Sequence, residues 1–274
     1  MLKKYLIIIS ILLIFLLLII QIIEKVQLDS EIYRQIDEAL KDSTDSLEEY
    51  SESENYVEIL EDGGKLTEKQ VQLHFRNLSP EERSAGVSYW SYNTNAHVTA
   101  SAFGTDTLNH FLNHYLIGYA PFKTEHLWIP PYTISIRLRY QLDVEQYWGL
   151  REVWQNSKEA FFNARGDCED HALVLADWLI EMGLDARVVL GTYENKGHAW
   201  VVLLKGSEVF LLEATSKQKR KKWRHYPLAK FEHNYHPKCM FNRNYFWLNM
   251  GSTYTTDYVS GHWVKKSRFC RSSK

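Results

Sequence analysis

This chain of 274 residues has little of three things. Cysteine occurs only at Cys168, Cys239 and Cys270, an odd count that cannot be fully paired within one chain. Charge of one sign is not in surplus. The formal net charge of −2 gives no global case for nucleic acid or an anionic membrane surface as a partner. No internal repeat is present, which excludes a solenoid or other array. Aromatic residues, by contrast, make up 14% of the chain, with nine Trp and seventeen Tyr, and argue for a packed globular core and against disorder. The length suffices for one substantial domain with accessories.

After Lys3 and Lys4, residues Tyr5 to Ile23 carry no charge and are almost all Leu, Ile or Phe. At about 1.5 Å per residue, that run spans roughly the hydrocarbon core of a bilayer. The following Gln21-Ile-Ile-Glu-Lys-Val-Gln lacks an Ala-x-Ala cleavage pattern, so residues 1–25 read as an uncleaved signal anchor. The two lysines favour a cytoplasmic tip. The expected location is therefore the cell membrane, single-pass through residues 5–23, with the rest extracytoplasmic. In an oxidising compartment, a Cys239–Cys270 bridge would spare Cys168; three reduced thiols are the alternative.

Residues 26–65 read as an acidic stalk, since residues 29–62 hold thirteen Asp/Glu against two Lys/Arg. A short helix is expected from Leu66 to Phe75. Helix candidates follow at Thr107–Leu116 and Arg151–Asn163, and Thr133–Tyr140 alternates as a strand would. Residues 66–142 form the first part of the extracytoplasmic domain, 143–216 its core, and 217–274 a basic, aromatic extension. The run Lys217 to Arg224 reads as solvated surface. The segment Cys168–Met182 is apolar nearly all round, which marks a buried helix, and Gly183 ends it. Strands are expected near Ala186–Thr192, His198–Leu204 and Glu208–Ala214. A buried helix packed on consecutive strands is an α+β layered domain.

Gly166-Asp167-Cys168-Glu169-Asp170 opens that helix, and Gly197-His198-Ala199-Trp200 lies on a strand thirty residues on. A thiol becomes a nucleophile near neutral pH when something helps it lose a proton and a base receives it. A helix N-terminus supplies the first and a neighbouring histidine the second. Glu213, on the next strand, is placed to orient that histidine. Asp167 and Asp170 read as a helix cap with its reciprocal first-turn partner. His110 and His114, at i and i+4, and His233-x-x-His236-x-x-Cys239 have no clear companion ligands for zinc, so packing or surface histidine is the expectation. No role follows for His171.

With these residues in view, the chain resembles the transglutaminase-like superfamily, nearest to its bacterial cysteine peptidases. Trp148-Gly149, then Trp154, Glu159 and Cys168 repeat that group's spacing. The resemblance covers roughly residues 143–216. It implies an α+β, papain/transglutaminase-like core in which a central helix carries the cysteine against an antiparallel sheet, beside one N-terminal transmembrane helix. It also implies Cys168 as nucleophile, His198 as base and Glu213 as orienting acid, where the family more often has Asp. Trp154 or Gln155 would add an oxyanion donor beside the Cys168 amide; for Trp154, core packing is the alternative. Asp167, Glu169 and Asp170 match a calcium cluster of the adhesin-clipping relatives. No cofactor is required for the chemistry itself. The expected function is a membrane-anchored cysteine peptidase acting on an envelope or cell-surface protein, with no nucleic-acid partner. A protein-crosslinking acyl transferase and a catalytically silent anchored binding module are the alternatives.

Overall fold

A computed structural model describes residues 54–93 and 96–272, together with positions 24, 27, 30–35 and 38. The expected span Tyr5–Ile23 lies outside the described residues. Among those described, no helix is long and apolar enough to cross a membrane. Residues up to Glu48 form a unit of their own, in which Arg34 bridges Glu31 and Glu38 along helical positions.

The second unit, from Glu49 onward, contains thirteen described strands. They are β1 (Tyr56–Ile59), β2 (Lys65–Thr67), β3 (Ser88–Ser91), β4 (His97–Phe103), β5 (Asn109–Phe111), β6 (Arg139–Tyr140) and β7 (Arg165–Gly166), followed by β8 (Asp185–Tyr193), β9 (Lys196–Lys205), β10 (Glu208–Leu212), β11 (Tyr235–Phe241), β12 (Tyr245–Asn249) and β13 (Trp263–Cys270). The helices are α1 (Glu68–Phe75), α2 (Pro80–Arg83), α3 (Ile129–Arg137), α4 (Asp143–Gln146), α5 (Ser157–Asn163) and α6 (Cys168–Glu181).

Eight strands form one sheet in the order β10-β9-β8-β11-β12-β13-β1-β2, every neighbouring pair antiparallel. The α+β layering expected from the sequence is present, with α6 packed against β8 and β9. The boundary expected at residue 216 separates nothing, because β11 to β13 sit at the centre of this sheet and β1 and β2 complete it. Cys239 and Cys270 lie on β11 and β13 with β12 between them. Strands spaced about 4.8 Å apart put two such positions beyond disulfide reach, and all three cysteines are free thiols.

Two local expectations fail for identifiable reasons. Thr133–Tyr140 is not a strand: Pro130 and Pro131 occupy the first turn of α3, where a missing N–H costs nothing, and only Arg139–Tyr140 is extended. Residues 107–116 are not a helix but β5 followed by a 3₁₀ turn at Leu112–Tyr115, since β4 draws Asn109 to Phe111 into a ladder. The Arg151–Asn163 candidate shrinks to α5. It starts where Asn156 caps the N–H groups of Lys158 and Glu159, and Glu159 closes the box by accepting from Asn156 N at 2.9 Å.

α6 is buried on nearly every side, as its composition required. Beyond the acidic first turn, α6 also buries Asp177, which is 0% exposed. It accepts from Gly118 N at 3.0 Å, Tyr119 N at 2.9 Å, the Ser157 hydroxyl and Arg243 Nε at 2.5 Å. This carboxylate ties the C-terminal half of α6 to three other segments. Asp177→Ala leaves Arg243 without its buried partner and should lower unfolding stability by about 3–5 kcal/mol. Urea denaturation followed by circular dichroism checks this; a loss below about 1 kcal/mol would contradict the anchoring role.

Candidate active site

β7 ends at Gly166, where an added Cβ would stand 2.2 Å from Asp170 Oδ2. Only glycine lets the chain turn that closely into α6, and Cys168 becomes its first residue. β8 and β9 are joined at Glu194 and Asn195, whose φ values of 50° and 64° are those of a type I′ turn. The resulting register sets His198 opposite Gly191. Glu213 follows directly on β10, which pairs with β9. Cys168 and His198 thereby line one cleft of about 570 Å³, together with Asp167, Glu169, Tyr140 and Tyr254.

His198 Nε2 and Glu213 Oε2 are 2.8 Å apart. The Tyr235 hydroxyl donates to the same carboxylate oxygen at 3.0 Å. Thr215 donates twice to Oε1, from its N–H at 2.9 Å and its hydroxyl at 2.6 Å. Burial pushes the Glu213 carboxyl up, but the bond to His198, the imidazole's charge and the Thr215 donors outweigh it and hold the group at about 2. Glu213 is therefore a fixed anion, the state in which a carboxylate orients an imidazole. Tyr235 gave no signal in the sequence, because it lies 22 residues beyond Glu213 on a strand assigned to the extension.

Cys168 is less ready. Its thiol donates to Glu169 Oε2 at 3.3 Å, the Ala199 main chain bonds the sulfur, and no hydrogen bond joins it to His198. Burial, with the Asp167 charge next in weight, pushes the thiol up to about 12. Asp143, Asp167, Glu169 and Asp170 crowd the same place, their nearest oxygens all within 4.8 Å of one another. Each is less than a tenth exposed. Asp143 Oδ1, Asp167 Oδ1 and Glu169 Oε1 are buried with no hydrogen-bond partner. Burial and then the Asp167 charge raise Asp143 to about 8. Glu152 is raised to about 7, chiefly by burial, with the Asp167 charge adding to it. Burial raises Asp167, Glu169 and Asp170 as well. Asp143 and Glu152 were not legible as members because they come from other segments.

The capping reading of Asp167 and Asp170 fails. Asp167 occupies the cap position, but its side chain makes no cap bond, and Asp170 accepts instead from Gln155 N at 2.9 Å and Gln155 Nε2 at 2.6 Å. Both donors of the Gln155 amide are spent, the second on Arg165 O at 2.9 Å. The Trp154 indole donates to Glu152 Oε1 at 2.8 Å within a fully buried packing position. Neither side chain retains a donor for an oxyanion. His171 is buried and bonds Ala214 O at 3.4 Å, with its imidazole pushed down to about 4 by burial. His233, His236 and Cys239 form no metal-ligand group among the described residues; Cys239 meets the Tyr89 hydroxyl, and His236 packs on Tyr254.

Residues 152–269 match a family model described as "CEP76 peptidase-like domain", which supports a peptidase-type fold for that segment. A centrosomal protein of 76 kDa from Danio rerio is 43% identical over 56 residues, 20% of this chain and 8% of that protein. Human protein CC2D2B is 28% identical over 118 residues, 42% of this chain and 8% of that protein. The chain thus spans under a tenth of the length of these relatives. Among solved structures, Legionella pneumophila LapG aligns over 51% of this chain and 75% of its own, at 19% identity and a TM-score of 0.37. Its calcium-bound form aligns over 56% and 81%, with a TM-score of 0.38.

The raised carboxyl groups make stability depend on pH in a defined direction. Asp143 at about 8 and Glu152 at about 7 hold protons in the folded chain that the unfolded chain has already released above about pH 4 to 5. Their contribution is full below that range and is lost as pH rises to about 8. In chelator, the melting temperature should fall between pH 5 and 8, and Asp143→Asn should flatten the slope. Calorimetric scans across that range check it; a melting temperature that rises with pH contradicts it.

Proposed function

We propose that the chain is a membrane-anchored thiol hydrolase that cleaves an amide bond in a protein substrate, with Cys168 as nucleophile, His198 as base and acid, and Glu213 as the orienting residue. The observation that carries this reading is the 2.8 Å His198–Glu213 bond at the cleft that Cys168 lines. The family match to a peptidase-like domain supports it. The bond commits Nε2 to Glu213, so Nδ1 exchanges protons with the thiol once the Cys168 side chain turns from Glu169. The thiolate attacks the carbonyl carbon, and the oxyanion faces the Cys168 N–H at the positive end of α6. Protonated His198 passes its proton to the departing amine. Water then breaks the thioester, giving a carboxylic acid and the free thiol.

Hydrolysis is favoured over crosslinking by the open cleft, where Tyr140 is 44% and Tyr254 76% exposed; transfer to an amine needs water kept out. A silent binding module is favoured by one observation, the thiol held protonated against Glu169. The anchor is the uncharged run from Tyr5 to Ile23, and the two leading lysines put the hydrolase outside the cytoplasm, facing an envelope or cell-surface protein. Turnover of a fluorogenic peptide library by the full chain should sediment with membranes and become soluble when residues 1–25 are deleted. Cys168→Ala and His198→Ala should abolish it with the fold retained. The loss in Glu213→Gln should be roughly a hundredfold smaller, because an orienting acid is not consumed. Activity surviving in Cys168→Ala would remove the nucleophile assignment, and a wild-type chain inert toward every peptide would favour the binding module.

The cation these oxygens suit is calcium, which takes six to eight hard oxygen ligands with flexible geometry. Asp143, Asp167 and Glu169 would hold it through the three oxygens that lack partners. Bound there, it would neutralise the charges that raise the Cys168 thiol. Calcium at a hundredfold excess over its dissociation constant should stabilise the fold by about 2.7 kcal/mol, and it should quicken alkylation of Cys168 at pH 7. Magnesium should do both poorly. Melting curves and iodoacetamide labelling in chelator, calcium and magnesium check this; curves that coincide in all three would remove the cation from the site.

A further inference from the structure

We propose that Glu68, His110 and His114 form a second metal site, for a single zinc-class divalent cation, with Asp106 as the carboxylate that orients His110. The histidines recur at i and i+4 in the sequence without companions; the fold supplies them. Glu68 arrives from the first turn of α1, His110 from β5 and His114 from the 3₁₀ turn that follows. The candidate ligand atoms of the three residues lie within 4.8 Å of one another, and tetrahedral zinc at bonds of about 2.1 Å sets its ligands roughly 3.4 Å apart.

Two observations point to a cation. His110 is 4% exposed. Its Nε2 is 2.8 Å from Asp106 Oδ2, while its Nδ1 makes no hydrogen bond and stands 3.4 Å from Glu68 Oε2. A carboxylate on one ring nitrogen, with the other turned to a carboxylate and a second imidazole, is the arrangement that orients a ligating histidine. The second observation is a conflict at His114. Its Nδ1 lies 2.9 Å from Glu68 Oε1 and 3.1 Å from Asn55 Nδ2. One nitrogen cannot donate to the carboxylate and accept from the amide. A cation shared by Glu68 and the bare Nδ1 atoms of both histidines resolves this and leaves Asn55 bonded to Glu68 Oε2 at 2.9 Å. Two imidazoles and one carboxylate suit zinc and not calcium or magnesium. The fourth position goes to water or an external ligand.

The test is zinc binding to the full chain in detergent, after dialysis against chelator, with ZnCl₂ as the only addition and bound metal read by mass spectrometry. The expected result is one zinc per chain in the wild type and in Cys168→Ala, which keeps the thiol cleft out of the count. Affinity should fall at least a hundredfold in Glu68→Gln and His114→Ala, and about 10- to 100-fold in Asp106→Asn. That last variant changes a side chain that is 40% exposed and keeps the test decisive if the others misfold. Cobalt in place of zinc should give d–d bands without a thiolate charge-transfer band. Zinc that requires Cys168, zinc retained in both ligand variants, or no binding in the micromolar range would each overturn the site and leave the cluster a network of ion pairs.

Discussion

The repulsion among the carboxylates at the start of α6 is the constraint on which the rest of the site depends. Asp143, Asp167, Glu169 and Asp170 are packed where water cannot screen them, and the His198 charge acts against this only at Asp167. Folding brings them together because α6 is apolar and must bury itself, carrying its acidic first turn inside. Proton uptake by the carboxyls or a hard cation on their oxygens relieves the repulsion. The two remedies have opposite effects on Cys168, since protons leave the thiol neutral whereas a cation favours its thiolate. The same acids can therefore hold the Cys168 thiol neutral or favour its ionisation.

Much of this was legible in the sequence, because the informative signals were local. The apolar circumference of Cys168–Glu181, the glycine before it and the alternation through His198 each follow from short-range periodicity, and Glu213 falls within one strand of its histidine. The rest required long-range placement. Tyr235 reaches Glu213 because β11 lies beside β8, a neighbour relation that skips more than forty residues. Asp143 joins the acids just beyond the parallel contact of β6 with β7, and Glu152 comes with the segment whose Val153 N–H donates to Asp143 Oδ2. Gln155 lost its assigned role for the same reason, its amide having been drawn to Asp170 and Arg165. The Pro130-Pro131 pair misled because proline breaks most elements but opens helices well.

The two halves of the proposed centre differ in how firmly they are held. Glu213 accepts four hydrogen bonds, from His198, Tyr235 and both donors of Thr215, so the imidazole has a fixed partner. Cys168 has one weak donor bond, to a side chain whose other oxygen has no hydrogen-bond partner. Any adjustment that brings the centre into register thus falls on the thiol and its acids, while the β9 side stays in place.

β10 is the outermost strand on its side of the large sheet, and its free edge is met by Pro227 and Leu228, with Leu211 N donating to Pro227 O at 3.1 Å. That short strap does for the edge what a further strand would do, denying it to a neighbouring chain. It also couples two properties that are usually separate. Glu213 follows the end of this strand, so local opening of the strap would expose a sticky edge and loosen the partner of the His198 imidazole in one event. Amide exchange in β10 would then report on both, with the cost of opening the strap setting the rate.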